Sequence, residues 1–403
     1  MRFTQPRALA TSIAAIALAG MSIGVHAQKK YDPGATDTEI KIGNIAPYSG
    51  PASAYGTVLK AANAYFNKIN AEGGVNGRKI KFLSLDDGYS PPRAVEQVRK
   101  LVEQEEVLAI FAPLGTPTNT AVRKYLNAKK VPQLFVSSGA QWGDYKTYPW
   151  TMAWNVSYLT EAQIYARHIL ADNPKAKIAI LSQNDDYGKD MVKGLMDGLG
   201  DKAKSMVVAQ ATYEVSDPSV DSQIVTLKAS GADTFLNVTS PKFAALAIRK
   251  AADIGWKPKQ YLSNVANSAT TVLKPAGLEN AAGIISAAYI RDPMDPRWQN
   301  TKEYKDYFAF MKSHFPDGEA TDTLNVIGYS MAQTLVQTLA QAGDNLTRAN
   351  LMKEAASLNM SLPMLYPGIK VKTSATDFYP IEGMQLIRFN GTAYEPLGSV
   401  IGE

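Results

Sequence analysis

The segment 113–120, Pro-Leu-Gly-Thr-Pro-Thr-Asn-Thr, has the residue types and the spacing that suit the binding of an anion. It follows a β-rich run, 107–112, and opens a helical pattern. Thr116 suits a helix N-cap and Pro117 the first helical position, where the missing N–H costs nothing. The free amides of the first turn, with the hydroxyls of Thr116 and Thr118, would bind an anion at the carboxyl end of a strand. Simple helix capping explains the same residues equally well.

A second loop, 137–142, follows the next β-rich run, 133–137, and we expect it at the same edge of a parallel sheet. Ser137 and Ser138 supply small polar groups, and Trp142 supplies an aromatic surface. Ligands of open α/β sheets bind at that edge. The two loops therefore predict a binding site for a small ligand.

Residues for catalysis are scarce by comparison. The chain has no cysteine and only 3 histidines, so it offers almost nothing for a zinc site or a histidine-activated nucleophile. The pairs Asp86-Asp87 and Asp185-Asp186 could act as acid/base or magnesium carboxylates, but both directly follow strand patterns, where short acidic residues favour turns. Phosphate-binding, dinucleotide-binding and Gly-x-Ser-x-Gly motifs are absent. We expect no enzyme, no cofactor and no metal; the alternative is a secreted α/β hydrolase or phosphatase.

Composition agrees with an ordinary globular protein. Of 403 residues, 45% are hydrophobic and 20% are charged. The formal net charge is +5, and two of its positive charges, Arg2 and Arg7, fall in a predicted signal peptide. No basic cluster with interleaved aromatic residues occurs, so we expect no nucleic-acid partner.

Residues 1–27 have the three parts of a secretory signal. Arg2 and Arg7 form a positive start, 8–19 is apolar, and small residues precede Ala27. The apolar part is shorter than the roughly 20 residues of a membrane anchor. This pattern predicts cleavage near Ala27 and a periplasmic location.

Beyond the signal, β-rich runs alternate with helical patterns, which is typical of parallel sheets with helical crossovers. A first series of predicted elements comprises 40–45, 53–70, 79–85, 94–105, 107–112, 118–129 and 133–137. A second series comprises 161–171, 177–181, 189–199, 207–211, 220–230, 234–238, 242–254, 260–263 and 283–288. The remainder adds helical patterns at 301–313, 323–341 and 348–356 and β-like runs at 384–389 and 394–400. Because this tail is too small for a third domain, we expect the chain to cross between two doubly wound lobes more than once, forming a hinge.

Several stretches resemble one known family. They are 42–51 (Ile-Gly-Asn-Ile-Ala-Pro-Tyr-Ser-Gly-Pro) with Tyr55-Gly56, 69–77 (Ile-Asn-Ala-Glu-Gly-Gly-Val-Asn-Gly), 113–118 and 184–188 (Asn-Asp-Asp-Tyr-Gly). With them the sequence resembles the periplasmic solute-binding proteins of ABC importers, of the leucine/isoleucine/valine-binding type. The resemblance implies an α/β protein with the type I periplasmic binding protein fold. In that fold, two Rossmann-like lobes joined by three hinge strands enclose a ligand, and the closed form docks on permease subunits in the inner membrane.

The resemblance also implies a domain division and a set of ligand contacts. We expect lobe I to comprise 38–155 and 289–365, lobe II to comprise 156–288 and 366–403, and the protein to be a monomer. In the family, the loops of Thr116 and Ala140 hold the ligand's carboxylate. The implied contacts, five in the first lobe and three in the second, are Tyr55, Thr116, Gly139, Ala140 and Trp142, then Tyr187, Thr239 and Asn264.

The chemical class of the ligand remains open at this point. The resemblance to the leucine/isoleucine/valine-binding type favours a branched-chain or other hydrophobic amino acid. Yet the loop that usually carries an acidic residue for the ammonium reads Asn264-Val265-Ala266-Asn267, and a buried ammonium without a partner is costly. An aromatic carboxylate, such as a hydroxybenzoate or a cinnamate-like acid, competes because several aromatic side chains suit stacking on a planar ring. These are Tyr55, Tyr89, Trp142 and Tyr187. Asp86 or Asp185 could supply the missing charge for an amino acid.

Overall fold

The computed structural model describes residues 1–2 and 29–402. The predicted signal peptide therefore lies outside the described residues, apart from its first two. Within the described part of the chain, no helix has the length and apolar character needed to cross a membrane.

The first part of the described chain builds a five-stranded parallel sheet in the order β3-β2-β4-β5-β6. Its elements are β1 (Lys30–Tyr31), β2 (Glu39–Ala46), α1 (Gly56–Ala71), β3 (Lys79–Asp86), α2 (Pro91–Arg99), β4 (Ala109–Phe111), α3 (Thr116–Ala128), β5 (Gln133–Val136) and β6 (Thr151–Ala153).

The middle part contributes the parallel strands of a second sheet. Its elements are α4 (Tyr158–Asp172), β7 (Ile178–Gln183), α5 (Asp186–Leu199), α6 (Ala203–Met206), β8 (Val207–Tyr213), α7 (Asp221–Ala229), β9 (Thr234–Val238), α8 (Pro241–Asp253), β10 (Lys259–Leu262), α9 (Lys274–Ala276), α10 (Leu278–Ala281) and β11 (Ile285–Ala288).

The last part of the described chain adds three α-helices and five strands. Its elements are α11 (Lys302–His314), α12 (Thr323–Ala342), β12 (Asn345–Leu346), α13 (Arg348–Ala355), β13 (Asn359–Met360), β14 (Val371–Lys372), β15 (Met384–Phe389) and β16 (Tyr394–Ile401). Strands β13 and β14 form a separate antiparallel pair, whereas β15 and β16 complete a seven-stranded sheet in the order β16-β15-β11-β10-β9-β7-β8.

The chain passes three times between the two sheets. It leaves the first sheet after β6, builds the second sheet up to β11, and returns when α12 packs on α1 and β12 pairs with β1. The Thr57 hydroxyl on α1 donates to Asn325 Oδ1 on α12 over 2.6 Å. The chain then crosses once more to form β15 and β16. We call the β2–β6 half with α1–α3 and α11–α13 the first lobe, and the other half the second lobe; the exact boundaries stay a prediction.

The central strands of both sheets are covered on both faces, which explains their sequences. Strands β4, β5, β7 and β9 are buried along their whole length, as expected for parallel strands between two layers of helices. Continuous apolar runs such as Ala-Ile-Phe in β4 therefore predict these strands correctly. The α/β fold class is confirmed, and the structural comparisons below assign it to type I.

A close contact between α1 and α12 generates a first prediction. A Cβ added at Gly328 would lie 1.9 Å from the carbonyl oxygen of Val58, so the two backbones touch directly. Overpacking of this kind costs about 1–3 kcal/mol. We expect Gly328→Ala to lower the free energy of unfolding by about that amount in urea denaturation. Gln337→Ala, an exposed change on the same helix, should stay within about 0.5 kcal/mol. Equal stability of the two variants would contradict this packing.

Candidate ligand-binding site

A cavity that opens in part to solvent lies between the lobes. Four tyrosines contribute to its walls, together with polar and aliphatic side chains. Among the residues that the structure describes, no charged side chain lines it. The lining residues are Tyr55, Val58, Tyr89, Leu114, Gly115, Ser137, Asn155, Tyr158, Gln183, Tyr187, Asn264, Val265, Leu324 and Ile327. We call this space the central cavity.

The carboxyl ends of strands from both sheets point at the central cavity. In the first lobe, Leu114 follows β4 and Ser137 follows β5, and these two residues form a parallel bridge. In the second lobe, Gln183 ends β7 and Asn264 follows β10. This is the edge at which open α/β sheets bind ligands. The lobes also touch here, because Gln183 Nε2 donates to the Tyr89 hydroxyl over 3.5 Å.

The loop of Thr116 differs in detail from its prediction. Helix α3 begins at Thr116 itself, so the N-cap is Gly115, with φ +106°, and Pro117 occupies the second helical position. The prediction of Thr116 as N-cap is therefore wrong. Only glycine readily adopts this backbone conformation, and a Cβ at Gly115 would lie 2.6 Å from the ring of Tyr89.

The hydroxyls of this loop have distinct partners. Thr116 Oγ1 lies 2.8 Å from Ser138 Oγ, which joins the two loops singled out from the sequence. Thr118 Oγ1 instead donates to the carbonyl of Leu114 over 2.9 Å and so serves the backbone. Thr116 is 1% exposed, and it directly follows Gly115, which lines the central cavity. The amides of Thr116 and Thr118 belong to the first turn of α3, where the helix itself offers them no acceptor.

The remaining first-lobe candidates lie at different distances from the central cavity. Tyr55 forms part of the wall, at the end of a 3₁₀ turn that precedes α1. Gly139 packs under Tyr158: a Cβ there would come within 2.6 Å of the tyrosine ring. Ala140 and Trp142 line a separate depression, where the guanidinium of Arg123 lies 5.1 Å from the Trp142 ring centre.

The second-lobe candidates lie close to one another. Tyr187, near the start of α5, lines the cavity and contacts Tyr158, with ring centres 4.7 Å apart. Its hydroxyl donates to the carbonyl of Thr239 over 3.5 Å. The Thr239 side chain is buried and donates to Asn237 Oδ1, so it supports the wall from behind. Asn264 lines the cavity directly.

A buried carboxylate lies directly behind Asn264. Glu161, which is fully buried on α4, accepts a hydrogen bond from the Asn264 amide over 2.7 Å and a second from its Nδ2. The hydroxyl of Tyr165 donates to the same carboxylate over 2.8 Å. Burial raises the pKa of Glu161 to about 7, and the hydrogen bonds only partly oppose this. Glu161 has no distinguishing signal in the sequence, because an acidic residue in the first turn of a helix is an ordinary feature.

The acidic pairs have the structural roles that turn chemistry predicts. Burial acts to raise the pKa of Asp86, but hydrogen bonds from Ser49 and from nearby backbone amides lower it to about 2. Asp185 is the N-cap of α5, accepts from the amide of Gly188, and also accepts from Gln183 Nε2 over 2.6 Å. Neither carboxylate lines the central cavity.

Several wall residues carry no signal in the sequence. Asn155 and Tyr158 lie where the chain first crosses between the lobes, and the buried Oδ1 of Asn155 has no hydrogen-bond partner among the described residues. Leu324 and Ile327 reach the cavity only because α12 packs on α1. Among the described residues, no group of three or more His, Cys, Asp or Glu side chains could hold a metal ion.

Comparisons with known proteins agree with this architecture. A family model described as periplasmic binding protein matches residues 39–393. Leu/Ile/Val-binding protein homolog 7 of Brucella abortus (strain 2308) is 25% identical over 261 residues, which are 62% of this chain and 64% of the relative. The match thus spans less than two thirds of that relative's length.

Solved structures show the same fold. A branched chain amino acid ABC transporter protein from Thermus thermophilus with bound valine has a TM-score of 0.81 at 13% identity, covering 91% of this chain and 97% of the other. The fatty acid ABC transporter substrate-binding protein from Thermomonospora curvata has a TM-score of 0.77 at 23% identity, covering 93% and 95%. At these identities the likeness concerns the fold.

The chain belongs to the periplasmic binding protein family, since the model covers most of its length. It is a type I periplasmic binding protein. The resemblance to leucine/isoleucine/valine-binding proteins noted in the sequence is confirmed.

The buried carboxylate generates a second prediction. Because burial raises the pKa of Glu161 from 4.5 to about 7, the native state keeps a proton that the unfolded state releases. The stabilisation is complete below pH 4.5 and is lost as the pH rises through 7. Between pH 5 and pH 8, Glu161→Gln should gain about 2–3 kcal/mol in free energy of unfolding relative to the parent protein. Urea denaturation at both pH values measures this, with the exposed Glu96→Gln as control. If the free energies of unfolding of Glu161→Gln and of the parent protein changed equally between the two pH values, this prediction would be wrong.

Proposed function

We propose that this protein is the extracytoplasmic substrate-binding component of an ABC importer, and that it binds a hydrophobic carboxylate without an α-ammonium group. Aromatic acids of the hydroxybenzoate or cinnamate type are the favoured ligands. The lobes close on the ligand, and the closed form presents it to the permease. We propose a periplasmic, monomeric, non-enzymatic protein, with the lobe boundaries predicted above.

The uncharged lining of the central cavity carries this proposal. Transfer of an ammonium group into such a cavity would remove it from water without a counter-charge, which costs several kcal/mol. The four tyrosines of the wall offer ring faces and edges to a planar apolar ligand instead. A catalytic role has no support in this wall, which offers neither a histidine nor a charged group.

A ligand carboxylate can be bound in this cavity without a positively charged side chain, because hydrogen-bond donors can stabilise it instead. The hydroxyls of Thr116 and Ser138 lie 2.8 Å apart, next in sequence to the cavity-lining residues Gly115 and Ser137, and the first-turn amides of α3 follow Gly115. Burial raises the pKa of Tyr158 to about 12, although the hydroxyls of Ser138 and Thr116 lower it in part, so the phenol keeps its proton. These groups can bind a carboxylate through charge-assisted hydrogen bonds.

A hydrophobic amino acid is the second candidate, and Glu161 is the observation that favours it. Its carboxylate is one hydrogen bond behind Asn264, so a rearrangement of that side chain would bring a negative charge to the cavity. The names of the Brucella relatives and the valine-bound Thermus structure point in the same direction. The fatty acid transporter relative supports the ammonium-free carboxylate instead.

Two pairs of compounds separate these candidates, because the members of each pair differ only in an α-ammonium group. The pairs are 3-phenylpropionate with L-phenylalanine and 4-methylpentanoate with L-leucine. We expect calorimetry to give at least tenfold tighter binding of each ammonium-free acid, with 3-phenylpropionate the tightest of the four. Tighter binding of the amino acids would establish the second candidate in its place.

The loop of Thr116 and the helix that follows it provide a test variant and a matched control. Thr116→Val removes one hydroxyl donor to the carboxylate, and a charge-assisted hydrogen bond contributes about 1.5–3 kcal/mol. We expect the Kd for 3-phenylpropionate to rise by about tenfold or more. Thr120→Val removes a hydroxyl from the next turn of α3, which donates to the Thr116 carbonyl, and it should leave the Kd unchanged. If both variants bind alike, the carboxylate lies elsewhere.

A further inference from the structure

A second cavity adjoins the central cavity. The two share four wall residues, Asn264, Val265, Leu324 and Ile327. The second cavity lies on the far side of these residues, next to the segment in which the chain leaves β11 for the first lobe. We call it the rear cavity.

Three buried polar atoms among the residues lining the rear cavity lack a hydrogen-bond partner within the described chain. They are the hydroxyl oxygens of Tyr289 and Tyr394 and Oδ2 of Asp292. The residues are only 2%, 3% and 8% exposed, respectively. Buried polar groups without partners are uncommon in folded proteins, and each one calls for an explanation such as a bound ligand or an ordered water.

The carboxylate of Asp292 is also without a counter-charge. Its other oxygen accepts from the amide of Met294 over 2.8 Å, but the charged groups that act on it are two further carboxylates, Asp295 and Asp322. Burial raises its pKa to about 6.

The two neighbouring carboxylates, in contrast, are satisfied. Asp295 forms an ion pair with Arg297, and Asp322 accepts from the hydroxyls of Ser268 and Thr271 and from the amide of Leu324. Asp292 is therefore the carboxylate of this group that has capacity for a further donor, and it adjoins the rear cavity.

We propose that the rear cavity is a second subsite, which binds a hydrogen-bond donor, above all a primary ammonium, through Asp292, Tyr289 and Tyr394. The donor forms the far end of a ligand whose carboxylate lies at the Thr116 loop. This inference rests on the proposed function. The proposed ligand is an elongated acid with an apolar middle and a hydrogen-bond donor at the opposite end. Its middle part passes between Val265, Leu324 and Ile327.

Such a ligand suits the distribution of charge in the molecule. The first turn of α3, next to the central cavity, carries free amides, whereas the residues that line the rear cavity include Asp292, Tyr289 and Tyr394, each with an unpartnered oxygen. A ligand with opposite polarity at its two ends satisfies both regions. An α-amino acid places its ammonium next to its carboxylate and so cannot satisfy both at once.

The test uses calorimetry with 3-phenylpropionate and with 3-[4-(aminomethyl)phenyl]propionate, which adds a primary ammonium at the far end. We expect the aminomethyl compound to bind the parent protein at least tenfold more tightly. In Asp292→Asn this advantage should vanish, while the Kd for 3-phenylpropionate stays within about twofold. Tyr394→Phe and Tyr289→Phe should each reduce the advantage in part.

Two further measurements check for other causes. The ligand-free Asp292→Asn protein should unfold at the same temperature as the parent or a higher one, because the amide removes an uncompensated buried charge. Methylammonium added together with 3-phenylpropionate tests a separate small cation as the occupant. An increase in affinity with methylammonium, and none with the tethered ammonium, would overturn the elongated ligand.

The remaining outcomes separate this inference from the proposed function. If 3-phenylpropionate binds and the aminomethyl compound binds no better, the rear cavity holds water only and the inference fails alone. An advantage that persists in Asp292→Asn also overturns it, because the ammonium is then bound elsewhere. If neither compound binds, the proposed function fails and the inference fails with it.

Discussion

The direct contact of α12 with α1 is the packing interaction on which both cavities depend. Gly328 has no side chain, and the helix can therefore rest against the backbone at Val58. This contact returns the chain to the first lobe after it has built most of the second sheet. It also places Leu324 and Ile327 in the wall shared by the two cavities. A segment more than 200 residues away from the α3 loop in the sequence thereby completes the site.

The charged groups near the central cavity lie behind its wall and do not line it. Two amide side chains, Asn264 and Gln183, line the wall. Asn264 donates to the buried carboxylate of Glu161, and Gln183 donates to the half-buried carboxylate of Asp185. Burial raises the pKa of both carboxylates. The surface that faces a ligand thus consists of amides, hydroxyls and aromatic rings. A low dielectric strengthens hydrogen bonds to a ligand carboxylate there, and it equally penalises any group left without a partner.

The sequence predicts the parts of this structure that depend on local pattern. The buried runs of β4, β5, β7 and β9, the strand-to-helix turn at Thr116 and the aromatic positions Tyr55 and Tyr187 follow from periodicity, turn chemistry and family resemblance. Short elements such as β6 and β12 are missed, because two or three residues carry no periodicity and pair only in the finished fold.

Other parts of the site depend on which segments meet in space. Glu161 gains its significance only from the position of Asn264, and Asp292 only from the rear cavity that it lines together with Tyr289 and Tyr394. The prediction of Thr116 as N-cap is wrong because Gly115 can adopt a positive φ, so the helix begins one residue earlier. Ala140 and Trp142 lie outside the central cavity because their loop turns towards Arg123.

The position of the ligand is best determined by a crystal structure of the complex with 3-phenylpropionate at neutral pH. We expect closed lobes, with the carboxylate within hydrogen-bonding distance of the Thr116 loop and the ring among Tyr55, Tyr89, Tyr158 and Tyr187. A carboxylate turned towards Asn264 and Glu161, or a ligand bound outside the space between the lobes, would contradict it.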